Sequence, residues 1–175
     1  LALGTSGLTM VELATCYGTI ANNGVYQQSI SFSRVTDAEG NVVLDPTTSR
    51  ITRQVFKETS IWMLKDIMTN YTSAATLSNM QMGGKTGTNS NWTGVTFAGF
   101  TAYYTCAVWI GHDNYKALAR GTTGASAAAP LWKKDSRPAT VSEKLSTGST
   151  ISNVLAAMPS TFPRCLNRTA TALIP

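Results

Sequence analysis

The residues of this chain best suited to chemistry are Lys85-Thr86-Gly87-Thr88, which put a cation, two hydroxyls and a position without a side chain in one run. On a strand, alternate side chains share a face, so Thr86 and Thr88 point one way and Lys85 and Gly87 the other. Hydroxyls placed in that manner converge on one anion, and Lys85 adds a positive charge beside it. The bare Gly87 lets another element, such as a helix carrying a nucleophile, approach the strand backbone. A backbone N–H facing a reacting carbonyl there would act as an oxyanion donor, and such donors are worth about 2.7 to 4 kcal/mol in acyl transfer. The chemistry implied is a carboxylate site beside an acylation centre. The attacking groups are not in this sequence: no serine stands three residues before a lysine, and there is no Ser-x-Asn. Taken alone, Lys-Thr-Gly reads as an edge strand with an exposed lysine, and it is the flanking features in their order that favour the chemical reading.

The elements that must position this run can be read from periodicity and punctuation. Thr9-Met-Val-Glu12 is a capping box that predicts a helix start. Met10, Leu13, Ala14, Tyr17 and Ala21 recur at helical spacing as a core face, and Asn23-Gly24 supplies the left-handed stop. Residues 30–36 and 41–44 flank Asp37-Ala-Glu-Gly40 and predict a hairpin. A long helix is expected from about Arg53 to Tyr71, with Phe56, Ser60, Met63, Leu64, Ile67, Met68 and Tyr71 on a face covering a sheet. A polar turn over 72–79 leads into a strand over 81–88, entered through Gly83 and Gly84. Residues 95–102 and 103–111 read as adjacent antiparallel strands, the second almost continuously apolar and therefore central. An alanine-rich helix follows over 125–134, with Pro130 in or near its first turn. The order predicts an α+β fold with a mainly antiparallel sheet. From Asp135 to Pro175 the composition turns to Ser, Thr and Pro, as in a linker or surface-hugging tail, with a short helix expected over Thr150 to Met158.

Composition narrows the function classes. The chain has 175 residues, enough for one domain, and a net charge of +5. Its Lys and Arg are scattered, among them Arg34, Lys57, Lys85, Arg120 and Arg137, which argues against a nucleic-acid stripe. No apolar run approaches the roughly 20 residues of a membrane-spanning helix. With one histidine, His112, a multi-His metal site is excluded, and no cofactor is implied. Cys16, Cys106 and Cys165 lack C-x-x-C spacing, and Cys16 and Cys106 are expected as small buried hydrophobes. Glu12, Glu39, Glu58 and Glu143 suit caps, turns and solvated faces. The first residue is Leu1, with no initiating Met or leader pattern, and the chain is read as a piece.

In order along the chain stand Leu1-Ala-Leu-Gly-Thr-Ser-Gly-Leu-Thr9, Glu12-Leu-Ala14 and Tyr17-Gly-Thr-Ile-Ala-Asn-Asn-Gly-Val25. Gly84-Lys-Thr-Gly-Thr88, Phe97-Ala-Gly-Phe-Thr101, Ala107-Val-Trp-Ile-Gly-His-Asp-Asn114 and Ala128-Ala-Pro-Leu-Trp132 continue the series. Together these segments resemble the C-terminal part of the transpeptidase domain of class A, bifunctional penicillin-binding proteins, over about Leu1 to Lys134. Residues 135–175 are not matched and form a separate tail or linker. The resemblance implies a β-lactamase/DD-transpeptidase-like fold, here as its C-terminal portion. It also implies a peptidoglycan transpeptidase with three motifs, Ser-x-x-Lys, Ser-x-Asn and Lys-Thr-Gly, of which only the third is present.

In that family a serine attacks the penultimate D-alanine carbonyl of a stem peptide and passes the acyl group to a neighbouring amine. Carried over, Lys85 places charge beside the nucleophile and Thr86 and Thr88 bind the terminal carboxylate of D-Ala-D-Ala or of a β-lactam. Gly87 is the close-approach position, and the Thr88 amide is an oxyanion donor. Gly94-Val-Thr-Phe97 departs from the Asp-Ala-Trp-Phe often found there, which leaves the rim of the cleft less anchored. The expected location is the extracellular face of the bacterial cytoplasmic membrane, and the expected partner is the missing N-terminal part of the same domain. Apolar surface exposed by such a piece predicts pairing with that part or self-association. Two other readings compete: a non-catalytic module that binds wall peptides or scaffolds other proteins, and a β-lactamase-like serine hydrolase with water as acceptor.

Overall fold

The computed structural model describes residues 6–70, 72–78, 80–135 and 155–157. Helix α1, Met10–Ala21, begins at the capping box: the Glu12 N–H donates to Thr9 Oγ1 at 3.2 Å and the Thr9 N–H donates to Glu12 Oε2 at 2.8 Å. It stops where Asn23 and Gly24 take φ of 52° and 85°. Strand β1, Val25–Gln27, pairs antiparallel with β4, Thr52–Gln54. Between them β2, Val35–Thr36, and β3, Val42–Leu44, form the expected hairpin, shorter than its apolar runs. Asp37 closes its turn, the Asn41 N–H donating to Asp37 Oδ1 at 2.7 Å.

Helix α2 runs Glu58–Asn70 and differs from expectation at its start and in its buried face. Residues 52–54 are strand because their backbone pairs with β1, and the Val55 N–H donates to Gly24 O at 2.9 Å. These non-local bonds outcompete helical propensity at that end. Ile61 is the buried residue of α2, while Phe56, Met63, Leu64 and Ile67 are exposed and Trp62 is 68% exposed. Lys65 ties this helix to the end of α1, its Nζ donating to Ala21 O at 3.2 Å and Asn23 Oδ1 at 3.0 Å. Tyr71, expected on the same face, lies outside the described residues.

The main sheet has strand order β5-β6-β7-β8, all antiparallel, from β5 Met82–Thr88, β6 Gly94–Thr101, β7 Thr105–Gly111 and β8 Leu155–Ala157. The apolar β7 is an inner strand, as its pattern required. The expected helix over 150–158 is corrected where it is described, since residues 155–157 are a strand laid on the outer edge of β7; the rest of that expectation lies outside the described residues. One face of the sheet, bearing Ala98 and Ala107, packs on Ala14 of α1, with Met10, Leu13 and Tyr17 around it. The other face, bearing Met82, Val95, Phe97, Cys106 and Val108, is covered by a π-helical turn, Gly124–Ala128, and by α3, Ala129–Asp135. Pro130 falls in the first turn of α3, directly behind the π-helical turn. Trp132 is wholly buried, meets Phe97 edge-on at 5.1 Å, and donates from Nε1 to Cys106 O at 3.0 Å. Cys106 is buried as expected; Cys16 is exposed, because its position on α1 turns away from the sheet.

Candidate functional site

Lys85, Thr86, Gly87 and Thr88 are the last four residues of β5, which stands at the edge of the main sheet. The register Lys85↔Ala98, Thr86↔Phe97, Gly87↔Thr96 and Thr88↔Val95 fixes the faces. Thr86 and Thr88 lie on the side of α3, and Lys85 and Gly87 on the side of α1, as strand alternation required.

Which backbone groups face outward follows from a hydrogen-bonded pair at Gly84. The Gly84 N–H donates to Thr72 Oγ1 at 3.2 Å, and Thr72 Oγ1 donates to Gly84 O at 2.6 Å. Thr72 precedes β5 and lies on the side away from β6, so both polar groups of Gly84 point out of the sheet. In an antiparallel ladder this alternates by residue. The N–H and C=O of Thr86 and of Thr88 therefore also point outward along the open edge, while those of Lys85 and Gly87 face β6.

The side chains complete this edge. Lys85 is exposed, and its Nζ donates to Thr86 O at 2.8 Å, which brings the ammonium to the outward edge. Thr88 Oγ1 accepts from the Gly124 N–H at 3.1 Å, at the start of the π-helical turn. With an acceptor position taken, the Thr88 hydroxyl proton is left to donate, which suits an anion. The arrangement thus presents outward N–H groups, a donating hydroxyl and an ammonium within one short stretch of edge. That is a set of donors for a carboxylate and for the oxygen of a polarised carbonyl.

Two glycines hold the geometry through close approach. A Cβ on Gly124 would stand 2.4 Å from Thr96 O and 2.8 Å from Gly87 O, so any side chain there would push the turn off the strands. A Cβ on Gly87 would stand 2.2 Å from Thr96 Oγ1. The neighbour that demands glycine at this position is therefore a side chain of the adjacent strand, which the sequence reading did not identify. Thr72, Thr96 and Gly124 are the contributors it missed. Thr96 follows from register once β5 and β6 are paired, whereas Thr72 and Gly124 come from turns with no periodic signal. The exposed His112 lies just past β7, and among the described residues no cluster of His, Cys, Asp or Glu could hold a metal ion.

Comparison with known proteins bears on the family and the fold. The family model described as penicillin binding protein transpeptidase domain matches residues 1–134. Penicillin-binding protein 1A of Clostridium botulinum is 36% identical over 135 residues, covering 74% of this chain and 16% of that protein. Penicillin-binding protein 1A of Aquifex aeolicus is 28% identical over 135 residues, covering 75% of this chain and 19% of that protein. Among solved structures, PonA1 of Mycobacterium tuberculosis in complex with penicillin V superposes with a TM-score of 0.66 at 22% identity, over 75% of this chain and 38% of that one. The chain thus spans less than a fifth of the length of these curated relatives, 16% and 19% of the two named.

Proposed function

Because this chain belongs to the penicillin-binding protein transpeptidase family, we propose that it supplies the carboxylate-binding and oxyanion wall of a peptidoglycan DD-transpeptidase site. The wall is the outward edge of β5, and its substrate is a stem peptide ending in D-Ala-D-Ala, or a β-lactam in its place. The outward Thr88 N–H receives the carbonyl oxygen as it becomes an oxyanion. The Thr86 and Thr88 hydroxyls and the Lys85 ammonium receive the terminal carboxylate, and Gly87 between them leaves room for the Thr96 side chain.

The attacking serine comes from polypeptide outside these 175 residues, since Ser-x-x-Lys and Ser-x-Asn are not in the sequence. Its oxygen bonds to the penultimate D-alanine carbonyl carbon, and the C–N bond to the terminal D-alanine breaks. The serine proton leaves on the departing amine, and an acceptor amine then takes the acyl group from the serine. The exposed Trp62, Met63 and Ile67 of α2 support pairing with that other part of the domain, because α2 abuts β5 and leaves these side chains uncovered. Residues 135–175 lie beyond the family match, and within them residues 155–157 add the outer strand to the main sheet. The site works on the extracellular face of the cytoplasmic membrane; among the described residues no helix is long and apolar enough to cross a membrane.

The observation that carries this reading is the alternation at the β5 edge, set by Thr72 and Gly84, which turns the Thr86 and Thr88 amides toward open space beside the Lys85 ammonium. Labelling with a fluorescent penicillin tests it. The full-length protein should be labelled covalently on a serine outside these residues, and the 175-residue chain alone should not be labelled. Covalent labelling of the isolated chain, or none of the whole protein, overturns the proposal.

A further inference from the structure

Thr72 does more at the edge of β5 than end a helix. Its hydroxyl takes both outward groups of Gly84, accepting from the N–H at 3.2 Å and donating to the carbonyl at 2.6 Å, as a paired strand would. The same oxygen lies 2.5 Å from Met68 O in the last turns of α2, so the single hydroxyl proton is shared between the Met68 and Gly84 carbonyls and Thr72 ties α2 to the edge of β5. The open stretch of the edge therefore begins at Thr86 and excludes Gly84.

The position of this plug matters because of the direction in which a donor peptide lies. This step rests on the reading above, in which the reacting carbonyl sits at the Thr88 N–H and the carboxylate lies toward Lys85. A peptide so placed runs antiparallel to β5, with its C-terminal end heading for Gly84. Two residues of strand span about 6.8 Å, which takes the leaving residue and its carboxylate from Thr88 to Thr86. A peptide that continued past that carboxylate would need the N–H and C=O of Gly84, and Thr72 holds them. Adding a strand to an edge gains its affinity from such main-chain bonds.

We propose that Thr72 is a specificity-determining residue: by filling the Gly84 edge it restricts the groove to donors whose chain ends at the leaving residue, and disfavours donors that continue beyond it. The full-length protein tests this with two synthetic donors, one ending in D-Ala-D-Ala and one with the same sequence extended by a glycine. In each case kcat/KM is measured for Thr72→Val, Thr72→Ser and the unaltered protein, with the fluorescent-penicillin labelling rate measured in parallel. Thr72→Val should narrow the preference for the free-ended donor by roughly tenfold, the size of one net hydrogen bond. Thr72→Ser, which keeps the hydroxyl, should retain the preference. An unchanged ratio in Thr72→Val overturns the proposal, as does an equal loss on both donors, which would make Thr72 a structural tie alone. If the unaltered protein takes no penicillin label, the transpeptidase reading itself fails and this inference falls with it.

Discussion

Gly87→Ala separates two accounts of the glycine in Lys-Thr-Gly. The sequence reading holds that position 87 is bare so that a nucleophile-bearing element can come close; the structure places the nearest obstacle inside the sheet. An alanine Cβ would stand 2.2 Å from Thr96 Oγ1 and 3.6 Å from Thr96 Cβ, and among the described residues no other atom outside its chain neighbours lies within 4 Å. Gly87 is not among the positive-φ glycines, so the backbone itself accepts alanine. The cost is then overpacking alone, about 1 to 3 kcal/mol. Thr96→Ala removes the offending oxygen and leaves the Cβ at 3.6 Å, an ordinary contact. The double variant should therefore recover the loss, and it gains about 0.4 to 1 kcal/mol from the reduced freedom of the unfolded chain. Thermal unfolding of the four proteins in the cycle gives the coupling directly, each kcal/mol moving the midpoint by about 2 to 4 °C in a domain of this size. The penicillin-labelling rate, followed in the full-length protein, should recover with stability. If Thr96→Ala fails to rescue stability, the steric argument is wrong. If stability returns and labelling does not, close approach from outside the sheet is the reason for the glycine.

Thr105 offers a gain in stability: its Oγ1 is buried with no hydrogen-bond partner among the described residues, so Thr105→Val should raise stability by about 1 kcal/mol, read as a higher unfolding midpoint. A lower midpoint would mean that the hydroxyl has a partner. At the other end of the fold, the hydrogen bonds that Glu12 accepts from the Thr9 backbone and side chain hold its carboxyl below the ordinary value of 4.5. A depressed carboxyl contributes stability that is complete above the ordinary value and lost as pH falls through the folded one. The unaltered protein should therefore lose its advantage over Glu12→Gln on acidification through that range, and a pH-independent difference in midpoint would contradict the assignment.

What the sequence made legible was local or periodic. The α1 start lies within Thr9 to Glu12, and its stop lies in Asn23-Gly24. The antiparallel order of β5, β6 and β7 follows from alternating apolar runs with short turns, and the alternation of Lys85 to Thr88 needed only strand geometry. The start of α2 was not legible, because residues 52–54 take their structure from β1, far away in the chain. Its exposed face was not legible either: Phe56, Met63 and Ile67 have the spacing of a buried stripe, and spacing does not reveal whether a partner is present. Cys16 illustrates the same limit, since a residue type often buried stands exposed when its helix face has nothing against it. In the site, residue types and faces were readable, but Thr72, Thr96 and Gly124 act across turns and between strands, where only register and contact bring them together.

The edge position of β5 raises a physical problem that its own side chains address. An unpaired edge invites another chain to add a strand, and proteins commonly blunt such edges with charge or by covering them. Here Thr72 covers Gly84, and the Lys85 ammonium reaches its own strand at Thr86 O. The first is a short side chain tied between α2 and β5, its one proton shared between Met68 O and Gly84 O. The second is an exposed, flexible side chain that an arriving anion can draw away at the cost of one charge-assisted bond. A neutral peptide adding to the edge would have to displace that ammonium and offer it nothing in exchange. A carboxylate supplies the lysine with a better partner at the same moment that it frees the Thr86 carbonyl. On the proposed function, Lys85 would act as guard and receptor in one residue, and protection of the edge against indiscriminate pairing and selection of a carboxylate-ended ligand would have the same physical origin.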